Sequence, residues 1–163
     1  MTYYCENQLI IKGKPEQISV VKLFLFKQDN KNTLTEPEFY FSGFLPVPTL
    51  PSESDVNHWK RHFWGCISEA ESCHYASYDD HEISEVEVTF DTLREPASQF
   101  TRHLIQMYPE LSVEHNFFCE KEFYAGFVLH EDGIDQDVLF DRHTDREYVI
   151  RMANDDFGYD FEV

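Results

Sequence analysis

The stretch "VEVTFDTLREPASQFTRHLIQMYPEL", residues 86–111, joins two different hydrophobic periodicities within one short segment. Apolar and polar residues alternate over 86–90, which is typical of a strand that buries one face. Pro96 can open a helix, and apolar residues then recur at helical spacing until Tyr108-Pro109 ends the pattern. Residues 86–111 therefore predict a strand, a turn and a helix in direct succession.

The turn between these two elements contains Asp91 and Thr92, whose side chains offer oxygen atoms close to the start of a helix. Such oxygens accept hydrogen bonds from free backbone N–H groups and stabilise a helix start by about 1 kcal/mol. The same two side chains could instead form a ligand site. We interpret them as part of the strand–helix corner, because local side chain–backbone hydrogen bonds are a sufficient role for both.

The residues that precede this segment contain four further segments with a recognisable pattern. Residues 7–12 predict a short strand, and residues 15–28 predict a helix with an apolar side. Residues 39–51 begin like a strand and end in a proline-rich irregular chain, since proline removes the donors of a β-ladder. Residues 55–71 predict a helix that Gly65 interrupts.

The residues that follow the segment predict the clearest β-hairpin of the chain. Two aromatic-rich strand patterns, 111–119 and 123–130, are separated by the polar turn Glu120-Lys121-Glu122. Asp132-Gly133 marks another turn, after which two shorter apolar clusters follow, "DVLF" and "EYVI".

The predicted elements succeed one another in the order strand, helix, strand, strand, helix, strand, strand. This order predicts an α+β fold with a ferredoxin-like split βαβ core, in which two helices cover one face of an antiparallel sheet. The hairpin over 111–130 fills or extends that sheet.

The composition indicates a soluble cytoplasmic protein. Of the 163 residues, 42% are hydrophobic and 16% are aromatic, which is enough for a substantial core. No stretch approaches the roughly 20 apolar residues that cross a bilayer, and the first residues lack the pattern of a signal peptide. The four cysteines, Cys5, Cys66, Cys73 and Cys119, are therefore expected to be reduced thiols that pack in the core.

The net charge of −18 is unevenly distributed along the chain. Residues 1–51 contain five acidic and five basic residues, whereas residues 52–130 contain fifteen against five and residues 131–163 eleven against three. A surface of this sign repels nucleic acids and anionic membranes and attracts basic partners. Direct nucleic-acid binding and membrane binding are therefore not expected.

The sequence contains no pattern that is typical of an active site or a cofactor site. His58 and His62 share a helical spacing and are followed by Cys66, Cys73 and His74, but these match no closed zinc pattern. The acidic stretches lack the alternating ligands of a calcium loop, and six glycines form no phosphate-binding loop. We therefore expect a non-enzymatic protein without a metal or cofactor.

Several short stretches, taken in order, match one family. They are "YYCENQLIIKG" (3–13), "FLPVP" (44–48), "FWG" (63–65), "FDT" (90–92) followed by Pro96, "MYPEL" (107–111) and "CEKEFYAG" (119–126). In these stretches the chain resembles the YubB-type ferredoxin-like domain, which is found on bacterial plasmids and phages. The resemblance implies a ferredoxin-like domain over residues 1–130 and an origin in a mobile element of a bacterial host cell. Residues 131–163 are then an acidic C-terminal extension, packed on the same domain or extending it.

The charge and this resemblance together favour an interaction protein that imitates nucleic acid. Duplex DNA carries one charge per about 1.7 Å, so a competitor must present carboxylates densely. The expected partner is a basic host protein, either a defence enzyme or another nucleic-acid-processing protein, which the acidic surface inhibits or regulates. The acidic residues proposed for this surface are Asp79, Asp80, Glu82, Glu85, Glu87, Asp132, Asp135, Asp137 and Asp141. The competing interpretation is that the acidity only keeps the protein soluble.

The alternative function is a module that binds a small molecule or nucleotide. It uses the segment 58–78, where aromatic and histidine side chains are close in sequence. The residues predicted to line this pocket are His58, Trp59, His62, Trp64, Tyr75 and Tyr78. Aromatic residues at such density form a core more often than the walls of a pocket.

Overall fold

The computed structural model describes residues 2–27 and 37–163, which form a six-stranded sheet and four helices. The strands are β1 (Tyr4–Gly13), β2 (Glu71–Asp79), β3 (Ser84–Leu93), β4 (Ser112–Cys119), β5 (Tyr124–Glu131) and β6 (Ile134–Phe140). The helices are α1 (Pro15–Leu25), α2 (Glu53–Phe63), α3 (Ser98–Met107) and α4 (Arg146–Phe157). Within these described ranges, no helix has the length and hydrophobicity needed to cross a membrane.

Every strand pairing in the sheet is antiparallel, and the strand order is β2-β3-β1-β4-β5-β6. The first strand of the chain, β1, therefore lies inside the sheet between β3 and β4. The strand–turn–helix prediction over 86–111 is confirmed by β3 and α3, and the predicted hairpin is confirmed by β4 and β5. The α+β class and the antiparallel sheet are likewise confirmed.

Alternate side chains of β1 project to opposite sides of the sheet. Leu9 and Ile11 are buried in a core that also contains Ile18 and Val21 of α1 and Leu104 of α3. We call this side the α1/α3 face. Burial of each such side chain contributes about 1.5–3 kcal/mol, so this face supplies most of the driving force for folding.

Aromatic rings fill the core between the sheet and the helices. The ring of Phe41 lies 4.7 Å from that of Phe100 on α3, and Phe39 lies 5.0 Å from Phe90 on β3. Trp64 is 1% exposed, and its indole Nε1 donates a hydrogen bond to the carbonyl oxygen of Leu45 at 3.1 Å. Residues 39–45 are therefore held as a core-filling loop.

Helix α4 packs on the opposite side of the sheet, over β4, β5 and β6. Phe118 of β4 pairs with Glu6 of β1, which places it on the side away from α1 and α3. It forms a second cluster with Val149 and Ala153 of α4 and with the aromatic residues of the C-terminal segment. The predicted arrangement of two helices on one face is thus incomplete, because α4 covers part of the other.

A buried polar network joins β1 to its neighbours on the α1/α3 face. The side-chain amide of Asn7 donates to the carbonyl oxygen of Cys5 and to the hydroxyl of Thr92, both at 2.9 Å. Its oxygen accepts from the backbone N–H of Ala97 at 3.2 Å and from His115 Nε2 at 3.0 Å. One side chain therefore connects β1 with β3, β4 and the start of α3.

His115 is completely buried in this network. Its Nε2 carries the hydrogen, because the oxygen of Asn7 can only accept, and its Nδ1 therefore accepts from the hydroxyl of Thr101 at 2.7 Å. Burial disfavours the charged imidazolium and lowers the pKa of His115 to about 3. His115 is thus a neutral structural residue.

Thr92 lies in the strand–helix corner as the sequence predicted, but the predicted capping of the helix start is wrong, because α3 has no side-chain cap. The Thr92 hydroxyl donates to the carbonyl oxygen of Glu95 at 2.7 Å and so holds the corner between β3 and α3. Asp91 pairs in register with Glu6 and projects to the other side of the sheet. Only the hydroxyl belongs to the corner.

The second predicted strand is wrong, and the actual second strand was not predicted. Phe39 forms only an isolated bridge with Phe26, and the prolines that follow cannot supply a ladder. The strand that pairs with β3 is instead β2, an edge strand whose side chains are mostly exposed. The predicted helix over 15–28 ends at Leu25, and residue 28 lies outside the described residues.

The prediction of reduced thiols is wrong for two of the four cysteines. Cys5 of β1 and Cys119 of β4 form a disulfide bond, while Cys66 and Cys73 are free. The pairing of Glu6 with Phe118 places the two bonded residues opposite each other on neighbouring antiparallel strands. Their separation of 114 residues in the sequence concealed this proximity.

We expect protein purified in air without reductant to contain two free thiols after denaturation. Reduction should lower the free energy of unfolding by about 2–4 kcal/mol, because the bond restricts the unfolded chain. Thiol titration and urea unfolding with and without reductant measure both quantities. Four titratable thiols in the unreduced protein would contradict the disulfide assignment.

We further expect the stability of the protein to decrease in acid because of His115. Its pKa is lower in the folded state than the ordinary 6.5, so the unfolded chain binds the proton first as the pH falls. Stability from this group is present above the unfolded pKa and is lost at up to about 1.4 kcal/mol per pH unit. Between neutral and acidic pH, the free energy of unfolding measured in urea should decrease less for His115→Asn than for the wild type. The exposed His58→Asn variant is the control, and an equal loss in His115→Asn and the wild type would contradict the prediction.

Candidate functional site

On the strands β1 to β4, six carboxylates project from the side of the sheet that α1 and α3 do not cover. They are Glu6 of β1, Glu71 of β2, Glu85, Glu87 and Asp91 of β3, and Glu114 of β4. We call the surface they form, on β2, β3, β1 and β4, the open face. Helix α4 packs on the same side of the sheet, where its main contacts are with β4, β5 and β6.

Two carboxylates of the open face are held in place by a chain of amide side chains. Gln8 Nε2 donates to Glu87 Oε1 at 2.8 Å, and Asn116 Nδ2 donates to Glu114 Oε1 at 2.8 Å. The same Asn116 nitrogen also lies 3.3 Å from Gln8 Oε1. This chain crosses β3, β1 and β4, and it fixes Glu87 and Glu114 on two strands that lie about 10 Å apart, the width of two strand spacings.

Three further carboxylates form a row across adjacent strands at one end of the open face. Glu71 pairs with Asp91, and Asp91 pairs with Glu6. A bulge in β2 between Glu71 and His74 keeps both of these side chains on the open face. Partial burial raises the pKa of Asp91, assisted by the charge of Glu71. Partial burial also raises the pKa of Glu6, assisted by the charges of Asp91 and Glu120.

A cleft of about 650 Å³ opens beside Glu6 and Asp91. It is lined by Thr2, Tyr3, Tyr4, Glu6, Asp91, Glu120, Lys121 and Tyr159. The hydroxyl of Tyr159 donates a hydrogen bond to Glu6, which joins the C-terminal segment to β1. The ring of Tyr159 stacks on Phe161 at 5.0 Å and is therefore fixed in orientation.

The acidic residues predicted around the β2–β3 turn have different positions and roles. Glu85 and Glu87 lie on the open face, and Glu85 forms an ion pair with Lys12 at 3.2 Å. Asp80 instead accepts the backbone N–H groups of Glu82 and Ile83 at 2.7 and 2.9 Å. Asp79 ends β2, and Asp79 and Glu82 are both exposed.

The other predicted acidic residues lie at the opposite edge of the sheet. Asp132 is in the β5–β6 turn, Asp135 and Asp137 are on β6, and Asp141 follows that strand. Five strand spacings, about 24 Å, separate β6 from β2. The nine predicted residues therefore do not form one continuous surface.

Two of these acidic residues have structural partners on the α1/α3 face. Asp137 pairs with Arg102 of α3, and Asp135 bonds to His130 Nδ1. His130 Nε2 donates to the carbonyl oxygen of Pro109 at 2.7 Å. The hydrogen bond to Asp135 raises the pKa of His130, which favours the charged imidazolium. These contacts tie β5 and β6 to the segment between α3 and β4.

The structure separates the residues of the predicted aromatic–histidine pocket. Trp64 is in the core, and Tyr75 packs against Phe26 at 5.0 Å on the α1/α3 face. Tyr78 pairs with Glu85, which puts it on the open face, where it is 64% exposed. On α2, Trp59 stacks on its neighbour Phe63, while His58 and His62 are exposed. The six residues therefore belong to several different surfaces.

The described residues contain no group of three or more histidine, cysteine, aspartate or glutamate side chains arranged to hold a metal ion. The two free thiols are poor nucleophiles, because burial raises the pKa of Cys66 and raises that of Cys73 to about 11. The properties that distinguish the site are thus its charge and its shape.

Sequence reasoning missed Glu6, Glu71, Asp91 and Glu114 as members of the acidic surface. The only signal in the sequence was the alternation of acidic with apolar residues, as in Glu85-Val86-Glu87. Such alternation shows that the carboxylates of one strand share a face. Which carboxylates of other strands lie beside them depends on the strand order and the sheet register. Comparisons with protein-family models, curated proteins and solved structures found no match to this chain.

We expect Asp91 to titrate at higher pH than Asp80. Burial and Glu71 raise the pKa of Asp91, whereas two backbone N–H groups stabilise the ionised form of Asp80 and lower its pKa from the ordinary 3.8. Carboxyl ¹³C NMR during a pH titration resolves the two midpoints. The opposite order, or equal midpoints, would contradict the described environment of Asp91.

Proposed function

We propose that this chain is a non-enzymatic interaction protein whose open face binds a basic surface on a partner protein. The observation that carries the proposal is the fixed placement of Glu87 and Glu114 by Gln8 and Asn116. Acidic residues that only improve solubility need no such support, because freely moving side chains serve that purpose equally well. Pre-ordered charges lose less side-chain entropy when a partner binds.

The spacing of the open face supports imitation of nucleic acid. Alternate residues of a strand lie about 7 Å apart and neighbouring strands about 4.8 Å apart, so the carboxylates form a dense two-dimensional array. Lys12 is the basic residue that β1 contributes to this array, and it is already paired with Glu85. The partner class proposed from this array is a basic nucleic-acid-processing protein of the host, which the chain inhibits or regulates by occupying its nucleic-acid site.

We extend the proposal to the fold family and the origin of the chain. The elements β1, α1, β2, β3, α3 and β4 follow the order of a split βαβ unit, and the strand order β2-β3-β1-β4 supports a ferredoxin-like core. The YubB-type resemblance of the motifs supports an origin in a plasmid or phage. A host defence enzyme is the partner that such an origin favours.

A displacement assay tests the function directly. A labelled DNA duplex is first bound by a lysine- and arginine-rich peptide, and the protein is added until the DNA is released. We expect the triple variant Glu85→Gln, Glu87→Gln and Glu114→Gln to need about ten times more protein than the wild type. Three partly exposed ion pairs at about 0.5 kcal/mol each account for this factor.

The control variant neutralises the same number of exposed acidic residues away from the open face, through Glu16→Gln, Glu110→Gln and Asp132→Asn. It should release DNA at nearly the wild-type concentration, and added salt should weaken release by both proteins. Equal losses in the two triple variants would show that only net charge matters and would overturn the proposed role of the open face.

A further inference from the structure

The cleft at the end of the open face combines negative charge with aromatic walls. Glu6, Asp91 and Glu120 supply three carboxylates, while Tyr3, Tyr4 and Tyr159 supply rings. Tyr4 and Glu6 lie two residues apart on β1 and so project to the same side of the sheet. The cleft is continuous with the open face, because Asp91 and Glu6 belong to both.

No lysine or arginine within residues 2–27 and 37–163 forms an ion pair with the carboxylates of this cleft. None of the ion pairs in that part of the chain includes Glu6, Asp91 or Glu120. Lys121, the one lysine that lines the cleft, lies over the ring of Tyr3, with Nζ 4.6 Å from the ring centroid. The groups that donate hydrogen bonds to Glu6 and Asp91 are neutral hydroxyls, of Tyr159 and Ser72 respectively. The three carboxylates of the cleft therefore outnumber its one lysine, and the cleft keeps an excess of negative charge.

The shape of the cleft indicates the kind of cation that fits. The described acidic residues are not arranged to hold a metal ion, and the cleft is far larger than one. A guanidinium group is planar, donates hydrogen bonds to two carboxylates at once and stacks on aromatic rings. Carboxylates on neighbouring strands beside tyrosine rings offer both kinds of contact.

We propose that this cleft binds an arginine side chain of the partner, with its guanidinium between the carboxylates of Glu6 and Asp91 and against the ring of Tyr159. The inference rests on the proposed function, because the arginine belongs to the basic surface that the open face binds. This arginine site, which we call the anchor, adds one specific contact to an interface in which the other charge contacts are spread over the open face. The mutual repulsion of Glu6 and Asp91 is relieved when the guanidinium enters, which favours arginine over a neutral side chain.

Titration with N-acetyl-arginine amide, followed by backbone amide NMR, tests the anchor. We expect saturable shifts at Tyr4, Glu6, Asp91 and Tyr159, with a dissociation constant on the order of 1 mM. The corresponding citrulline derivative, which has the same shape without the charge, should produce no saturable shifts there. The lysine derivative should bind several times more weakly, because an ammonium group cannot form the paired contact.

The variant Glu6→Gln with Asp91→Asn keeps the hydrogen-bonding shape of both side chains and removes their charges. We expect this variant to bind the arginine derivative at least tenfold more weakly than the wild type does. The matched control, Glu16→Gln with Asp132→Asn, should retain the wild-type affinity. Absence of saturable shifts, equal shifts with citrulline, or equal losses in both variants would overturn the anchor.

The same pair of double variants separates this inference from the proposed function. In the DNA-displacement assay, the anchor predicts a loss for Glu6→Gln with Asp91→Asn beyond that of its matched control. If this variant releases DNA as its control does while the Glu85, Glu87 and Glu114 variant is impaired, the proposed arginine site is wrong. The proposed role of the open face is then retained. If neither is impaired relative to its control, the proposed function fails as well.

Discussion

The hydrogen bonds of the Asn7 side chain are the constraint on which the two faces of the sheet depend. This amide is buried in the strand between β3 and β4, and it bonds to groups on both neighbours and at the start of α3. A strand displaced by one residue would exchange its two faces. It would bury Glu6 and Gln8 without partners, and it would leave the buried groups around Asn7 unsatisfied, at about 1–3 kcal/mol each. The network therefore holds the acidic residues of β1 on the open face.

The side of the sheet opposite the α1/α3 face has a packed part and a charged part. Helix α4 and the aromatic C-terminal segment cover the β4–β6 end, where Phe118 and Ala125 supply apolar contacts. Glu6 lies at the boundary, since its neighbour in register is Phe118 and its carboxylate accepts from Tyr159. The cleft thus forms where the packed part of this side meets the charged part. Its walls are fixed by the same contacts that attach the C-terminal segment.

Local periodicity was sufficient to predict the elements that bury one face. Residues 86–107 and the hairpin over 111–130 each show a clear period, and both predictions hold. Strand β2 was missed because it lies at the edge of the sheet, with both of its sides mostly exposed and therefore no alternation in hydrophobicity. Helix α4 was not recognised because only Val149, Ile150 and Ala153 of its residues are buried. The Cys5–Cys119 bond and the row of Glu71, Asp91 and Glu6 depend on strand register, which connects residues far apart in sequence.

Carbodiimide crosslinking to a lysine-rich peptide measures which carboxylates contact a basic partner. The reagent joins a carboxylate to a lysine amine only where the two groups touch, and mass spectrometry identifies the joined residues. Binding through the open face predicts crosslinks at Glu85, Glu87 and Glu114. Crosslinks confined to Asp132, Asp135 and Asp137, which are more exposed but lie at the far edge of the sheet, would contradict it.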